Sequence, residues 1–385
     1  MNSQLGLVRL SILFVLATLV ACSGGGGGGD GASAAVPNGA GGGGGGSVLA
    51  QLPNNVAGFA YVANNASDDV SAYTIDATTG VLSEVAGSPF AAGTDPSSVS
   101  VDPSGKFAYV ANRGSNNLSA YAINATTGAL VEIAGSPFSG LFDPGPITVG
   151  PTGKFAYVVS NGLISVAAYT INATTGALTS VGEFAAARNP SSVAVDPSGK
   201  FAYVTSAGTD IVSAYSINAT TGALTLVGGF TATSPIGITV DPSGKVAYVI
   251  ISDGVSAYSI DASTGALSEI AGSPFVAGTN PRCFTVDPSG KFAYVTNQTS
   301  NDVSAYAINA TSGALSSVGA FAAGTLPLSV TVDPSGKFAY VANAQSASVS
   351  AYSINITTGV LSEVPGSPFD AGAGPFSITT TRKIQ

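Results

Sequence analysis

This chain of 385 residues contains no histidine, and that absence removes more chemistry than any other feature of its composition. Without imidazole there is no Ser-His-Asp set, no histidine-paired nucleophile and no histidine-ligated metal. Cysteine is nearly absent too. Cys22 and Cys283 are the two in the chain, too few for a disulfide scaffold or a cysteine zinc site, so stability has to come from a core. Charged residues make up 9%, with 12 basic against 21 acidic side chains. That balance argues against nucleic acid as a partner, because phosphate binding needs clustered Lys and Arg. Long apolar runs are missing as well. The apolar stretch near the N-terminus, Leu10 to Val20, has eleven residues, and a membrane-crossing helix needs about 20. A phosphate-cradling glycine loop with its lysine is also lacking.

What is present begins with an address. Arg9 precedes the apolar stretch, which ends in Leu19-Val20-Ala21-Cys22. This resembles the lipobox of bacterial lipoproteins, which implies cleavage before Cys22 and acylation of its sulfur. On that reading residues 1–21 are a signal peptide and 22–50 a lipidated cysteine with a glycine-rich tether, ahead of a folded body over 51–385. The tether includes two runs of six glycines, behaves as a flexible coil and would span roughly 30 Å. Removing residues 1–21 leaves 11 basic against 21 acidic side chains, a balance of −10. The expected location is a bacterial cell envelope, lipid-anchored through Cys22. Ser23 rather than aspartate after the cysteine leans towards the outer membrane.

The body is a repeat of about 46 residues that comes round seven times. An FAYV-type segment places Tyr61, Tyr109, Tyr157, Tyr203, Tyr248, Tyr294 and Tyr340. A second segment, SAY or AAY, places Tyr73, Tyr121, Tyr169, Tyr215, Tyr258, Tyr306 and Tyr352, which accounts for all 14 tyrosines. One unit, from Ser97, reads SSVSV, DPSGK, FAYVAN, RGSNN, LSAYAIN, ATTG, ALVEI. Proline presets φ and glycine accepts a positive φ in the first turn, and glycine closes the second. Alternation as at Phe107, Tyr109 and Leu118, Ala120 marks strands. Four strands per unit predict an all-β, seven-bladed β-propeller with four antiparallel strands per blade. The first repeat opens at Phe59 without a preceding strand, and Phe376 to Thr380 matches the missing one. The C-terminal strand is therefore expected to pair into the first blade and close the ring, hiding its edges. Glu84, Glu132, Glu269 and Glu363 suit the outermost strands. The recurring Asn-Ala-Thr at Asn124, Asn172, Asn218 and Asn309 reads as turn chemistry rather than glycosylation.

Segments such as DPSGKFAYVANRGSNNLSAYAIN resemble the YVTN-type propeller repeat and the seven-bladed lactonase family, which includes 6-phosphogluconolactonases. The stretch Asn280-Pro281-Arg282-Cys283-Phe284, followed by FAYVTN and Gln298, is similar to a lactonase pattern. In that pattern Pro-Arg-His opens an inner strand and a glutamate follows the tyrosine strand. The resemblance implies an arginine for anionic substrate oxygens beside a histidine and a carboxylate for acid–base work. Arg282 matches, whereas Cys283 stands in place of the histidine and Gln298 in place of the glutamate. Glutamine cannot take up a proton, so the carboxylate role is lost there. Cys283 is either a nucleophile whose pKa Arg282 lowers or a small buried thiol beside a channel.

Topology places the DPSGK and ATTG turns on one face of the disc, with Lys106, Lys154, Lys200, Lys245, Lys291 and Lys337 as solvated turn charges. The opposite, loop face holds Arg113, Arg188 and Arg282. It also carries Asp68, Asp69, Asp95, Asp143, Asp210, Asp253, Asp302 and Asp370, an acidic rim round the channel mouth. A cation at Asp68, Asp69 and Asp302 is the weaker reading of these acids; solvated loop acids is the stronger. The candidate ligand-binding residues are Arg113, Arg188, Arg282 and Gln298, and the candidate catalytic residues Arg282, Cys283 and Asp302. The leading expectation is a monomeric binding module, with no cofactor or metal, that takes a protein or carbohydrate ligand at the acidic loop face. The alternatives are a sugar-lactone hydrolase using Arg282 with Asp253 or Asp302 as base, and a structural envelope or surface protein.

Overall fold

The computed structural model describes residues 55–383; the expected signal segment, Cys22 and the tether lie outside them. Every regular element among the described residues is a β-strand, and the strands form seven antiparallel sheets. Blade 2 shows the plan. Pro96–Val101 is innermost, Phe107–Asn112 and Asn117–Ile123 follow, and Leu130–Glu132 is outermost. Its DPSGK turn is held by Asp102, whose Oδ1 accepts the Phe107 N–H at 2.7 Å, while Gly105 takes φ 74°. The ATTG turn is an asparagine turn, with Asn124 Oδ1 accepting the N–H groups of Thr126 and Thr127 at 2.9 and 3.0 Å. Asn172, Asn218 and Asn309 do the same.

Blade 1 is built from both ends of the body. Val56–Asn64 pairs with Asp69–Asp76 on one side and with Pro375–Arg382 on the other. The ring is thus closed by hydrogen bonds, as the terminal segment predicts. The inner strands sit side by side round the axis, blade 7 (Pro327–Val332) against blade 1, and so on through blade 6 (Pro281–Val286).

The outermost strands divide into two kinds. In blades 3, 4 and 6 the strand runs unbroken, as in Leu178–Ala185, with a bulge where it passes the tyrosine. In blades 1, 2, 5 and 7 it is split, as in Leu130–Glu132 and Phe138–Ser139, around a Gly-Ser-Pro sequence. There the serine substitutes for the missing ladder, Ser136 Oγ accepting the Ala120 N–H at 3.0 Å.

The alternation along the FAYV strands does not separate a wet face from a dry one. All six residues of Phe107–Asn112 are buried, because each blade is covered on both faces by its neighbours. The two tyrosine sets make those interfaces. Six of the seven FAYV tyrosines, Tyr203 being the exception, reach forward to the glycine carbonyl of the next blade's ATTG-type turn, as in Tyr61 to Gly128 and Tyr109 to Gly176, both 2.9 Å. The SAY tyrosines reach back to the previous blade's outer strand, as in Tyr121 to Ala91 at 2.7 Å and Tyr306 to Val276 at 2.6 Å. Gly128 has φ 77°, and a Cβ there would lie 2.3 Å from a ring carbon of Phe59. The turn glycine is therefore both a conformational need and the seat for the neighbouring blade's aromatic ring.

Candidate functional site

Seven copies of one unit provide an internal reference, since a residue that recurs at a position serves the fold and one that breaks the pattern asks for another explanation. Towards the axis, a serine third in the inner strand joins one blade to the next in blades 1, 2, 4 and 7. Ser377 Oγ accepts the Val99 N–H, Ser98 the Ile147 N–H, Ser192 the Ile238 N–H and Ser329 the Ile378 N–H, each at 3.2 Å. Cys283 occupies this position in blade 6. Its Sγ is wholly buried and accepts the Val330 N–H at 3.3 Å, so the cysteine fills the place of a linking serine.

Most acids of the loop-face rim are engaged with the loops themselves. Asp68 Oδ1 accepts the Asp95 N–H at 2.8 Å and Asp210 Oδ1 the Ser234 N–H at 2.7 Å. Asp69 and Asp302 accept from the amides of Asn64 and Asn297 at 2.7 and 2.6 Å. Asp143 pairs with Arg113, Nε to Oδ1 at 2.6 Å. Asp95 accepts from the Asn65 amide, and burial followed by the nearby Asp143 and Asp68 charges raises its pKa against the opposing pull of Arg113. Asp253 and Asp370 are exposed. Among the described residues no three His, Cys, Asp or Glu side chains stand together as a metal-binding group.

Of the three candidate arginines, the structure joins none to another. They stand at blade 2 (Arg113), at the connection into blade 4 (Arg188, exposed) and in the inner strand of blade 6 (Arg282). Arg282 is the unusual one. It is second in Pro281–Val286, the position of Ser97 and Ser191 in blades 2 and 4, where the serine hydroxyls bond the next blade's Pro144 and Pro235 carbonyls. It is 6% exposed. Its Nε donates to Gln298 Oε1, which also accepts from Asn280 Nδ2 at 3.0 Å. The structure brings Arg282 and Gln298 together, two positions of the lactonase-like pattern, and Asn280 joins them. The acceptor is a neutral amide. The one ion pair among the described residues is Arg113–Asp143, and burial alone pulls the Arg282 pKa below its ordinary value. A guanidinium remains charged at any accessible pH. Blade 6 therefore carries a desolvated cation without a carboxylate. That arrangement costs stability, and a charge-assisted bond to an oxyanion would offset the cost.

Sequence reasoning did not single out two further features. A cavity of about 450 Å³ lies on the turn face at the seam of blades 7 and 1, lined by Val56, Ile75, Asp333, Arg382 and Lys383 among others, away from Arg282. On the loop face Phe142, Leu163 and Ile164 are exposed. The signal for them was available, since Phe142, Leu163 and Ile164 stand where blade 2 carries Thr94, Ser115 and Asn116.

The comparisons agree with this architecture. A family model described as "Lactonase, 7-bladed beta-propeller" matches residues 49–140, 131–240 and 227–331. A search of curated proteins finds no match. Among solved structures, the chain is similar to a putative 6-phosphogluconolactonase from Bacteroides fragilis, at 21% identity and TM-score 0.74, over 85% of this chain and 98% of that one. Another, from Bacteroides uniformis, is 19% identical with TM-score 0.74, over 84% and 99%. A periplasmic gluconolactonase from Pseudomonas aeruginosa is 18% identical with TM-score 0.70, over 84% and 99%. At these identities the structural likeness speaks for the fold. With seven sheets, a ring closed by its last strand and a family model matched over most of the body, the chain belongs to the seven-bladed β-propeller lactonase family.

Proposed function

We propose that this chain is a binding member of its family, taking an oxyanion, a sugar-acid or protein carboxylate, at the Arg282 end of blade 6 without turning it over. The observation that carries the reading is the buried guanidinium beside a neutral glutamine. A carboxylate docked there would complete a charge-assisted pair in a partly desolvated setting, where such pairs are strongest. Among the described residues, the side-chain hydrogen-bond partner of Arg282 is Gln298, which cannot move a proton. The chain has no histidine, Gln298 is an amide, and Cys283 sits wholly buried in the linking ring. In the same reading an acyl chain on Cys22 and the tether hold the propeller at a bacterial envelope.

Lactone hydrolysis is the second reading, and membership of the family favours it. It would need Arg282 to hold the developing oxyanion and Asp302 or Asp253 to activate water. Asp302 already accepts the Asn297 amide at 2.6 Å, and Asp253 lies exposed on a loop of blade 5.

One experiment separates the two. Gluconate and gluconolactone are titrated against the full chain and against Arg282→Met, and lactone loss is followed beside the spontaneous rate. Binding without turnover, lost in the variant, is the expected result. Turnover that depends on Arg282 would establish the hydrolase instead, and the absence of both across a panel of sugar acids and lactones would overturn the site. Acylation is read separately, as labelled palmitate incorporated in wild type and absent in Cys22→Ser.

A further inference from the structure

Blade 3 breaks the repeat at neighbouring loop-face positions, and the breaks converge on one patch. At the position of Phe142 the connections entering blades 2, 4, 6 and 7 carry Thr94, Arg188, Thr279 and Thr325, as in Gly93-Thr94-Asp95; entering blade 3 the connection reads Leu141-Phe142-Asp143. The loop between the second and third strands reads Arg113-Gly114-Ser115-Asn116 in blade 2 and Asn161-Gly162-Leu163-Ile164 in blade 3. Phe142 is 57% exposed, Leu163 47% and Ile164 41%.

Ile164 runs against local physics. Its φ is 52°, in the left-handed region, where Asp68, Asn116, Asp210 and Asn301 stand in other blades with φ between 54 and 59°. Asparagine and aspartate tolerate that region, whereas a β-branched residue there is strained. The four polar residues also cap a neighbouring connection, as when Asn116 Oδ1 accepts the Asp143 N–H at 2.7 Å. Isoleucine cannot cap anything. The position therefore accepts strain, gives up a cap and shows an aliphatic side chain to water.

The patch is also pre-organised. Phe142 lies across Gly162, where an added Cβ would sit 1.8 Å from its ring. Beneath it Leu141 is buried, and the Gly162 N–H donates to the Phe142 carbonyl at 3.1 Å. The Ile164 carbonyl accepts the Ala186 N–H at 3.0 Å, which sets the connection carrying Arg188 alongside. On the other side Arg113 is neutralised by Asp143. Arg188 is exposed and has no ion-pair partner among the described residues. An apolar surface edged by one uncompensated cation is complementary to an apolar side chain with a carboxylate beside it. A lipid surface fits less well. The first described residue, Asn55, whose carbonyl accepts the Ala77 N–H at 2.7 Å, lies on the turn face, the side away from this patch.

We infer that Phe142, Leu163 and Ile164, with Arg188, form a docking surface for a peptide segment of another protein that presents a bulky apolar residue next to a carboxylate. The surface is distinct from the Arg282 site three blades away.

The test selects a phage-displayed library of random short peptides on the full-length Cys22→Ser chain. The comparison is the same chain with three added changes, Phe142→Thr, Leu163→Ser and Ile164→Asn, which restore the residues of blade 2. The expected winners carry an aromatic or large aliphatic residue beside Asp or Glu. As synthetic peptides they should bind the triple variant at least about tenfold more weakly and lose affinity in Arg188→Gln. Ile164→Asn alone should melt no lower than wild type, which separates lost docking from lost folding. Enrichment of no peptide over the triple variant would overturn the inference, as would selection of basic peptides. So would wild-type binding to phosphatidylcholine vesicles through the same three residues, which would make the patch a membrane contact. Self-association of the full chain that the triple change abolishes would overturn it in favour of a second copy.

Discussion

Raising the pH tests how this disc is held together. All seven FAYV tyrosines are wholly buried, and burial pushes each phenol far above its ordinary value of 10. Their stabilisation is complete below pH 10 and is lost as the pH climbs towards the folded pKa. In that window the unfolded chain binds fewer protons than the folded one, so the unfolding free energy falls. At pH 11 each such group withdraws about 1.4 kcal/mol. Seven together withdraw about 10 kcal/mol, comparable with the whole stability of an ordinary domain, about 5–15 kcal/mol. Tyr73, Tyr169 and Tyr352, pushed up to about 12 by burial first of all, steepen the same slope. The expected behaviour is a single cooperative collapse between pH 10 and 11, with tyrosinate absorbance and loss of the β-sheet circular dichroism rising together. Tyrosinate forming gradually around pH 10, with the dichroism still native, would mean that the phenols meet solvent and that the interblade bonds are not formed. Between pH 6 and 9, where histidine would normally titrate, stability should stay flat because the chain has none.

Three further outcomes follow from the same geometry. Gly128→Ala places a Cβ 2.3 Å from Phe59 at φ 77° and should cost about 2–4 kcal/mol in urea unfolding from left-handed strain and overpacking; Gly145→Ala, whose Cβ meets nothing nearer than 3.6 Å, should be close to neutral. Arg282→Met should leave the melting temperature unchanged or raised, because it removes a buried charge that has no counter-ion, whereas Arg113→Met should cost up to about 1 kcal/mol by stranding Asp143. Deleting residues 375–385 removes the strand that pairs with Val56–Asn64 and should abolish the single cooperative transition, read by calorimetry; an unchanged transition would show that the ring does not depend on its closing strand.

The repeat made the strands, the turns and the closing segment legible, because each rests on local pattern: Pro and Gly in DPSG, Asn before ATTG, alternation between. It did not make the partners legible. Tyr61 recurs in every unit, yet its hydroxyl bonds Gly128 of the next blade, a pairing that depends on how blades stack. The rim acids show the same limit. Asp68 and Asp210 read as free loop charges, whereas in the structure they cap connections 27 and 24 residues further along. The Arg282–Gln298 pairing was readable because both residues lie in one blade, on strands joined by a single turn. For Cys283 the sequence offers a nucleophile or a small buried residue, and only the linking serines of other blades give it a structural peer. The Gly-Ser-Pro that splits four outer strands was in plain view, but its effect needed the ladder it interrupts.

The two faces differ in what they permit, and this explains where the exceptions fall. On the turn face glycines such as Gly80, Gly128, Gly176, Gly222 and Gly359 serve two blades at once, taking a positive φ, seating an aromatic ring and accepting a tyrosine hydroxyl, so a change there is felt across an interface. On the loop face the recurring elements are two left-handed positions, filled mostly by Asp or Asn but also by Ala347 with φ 48° and Leu326 with φ 62°. Substitution there costs a cap or a little strain and leaves the ring intact. Arg282 and the Phe142–Ile164 patch both lie on this permissive side, and each carries a local cost that the fold does not require. In a protein whose other blades show how to avoid that cost, a position that keeps it is best explained by what it meets outside the chain.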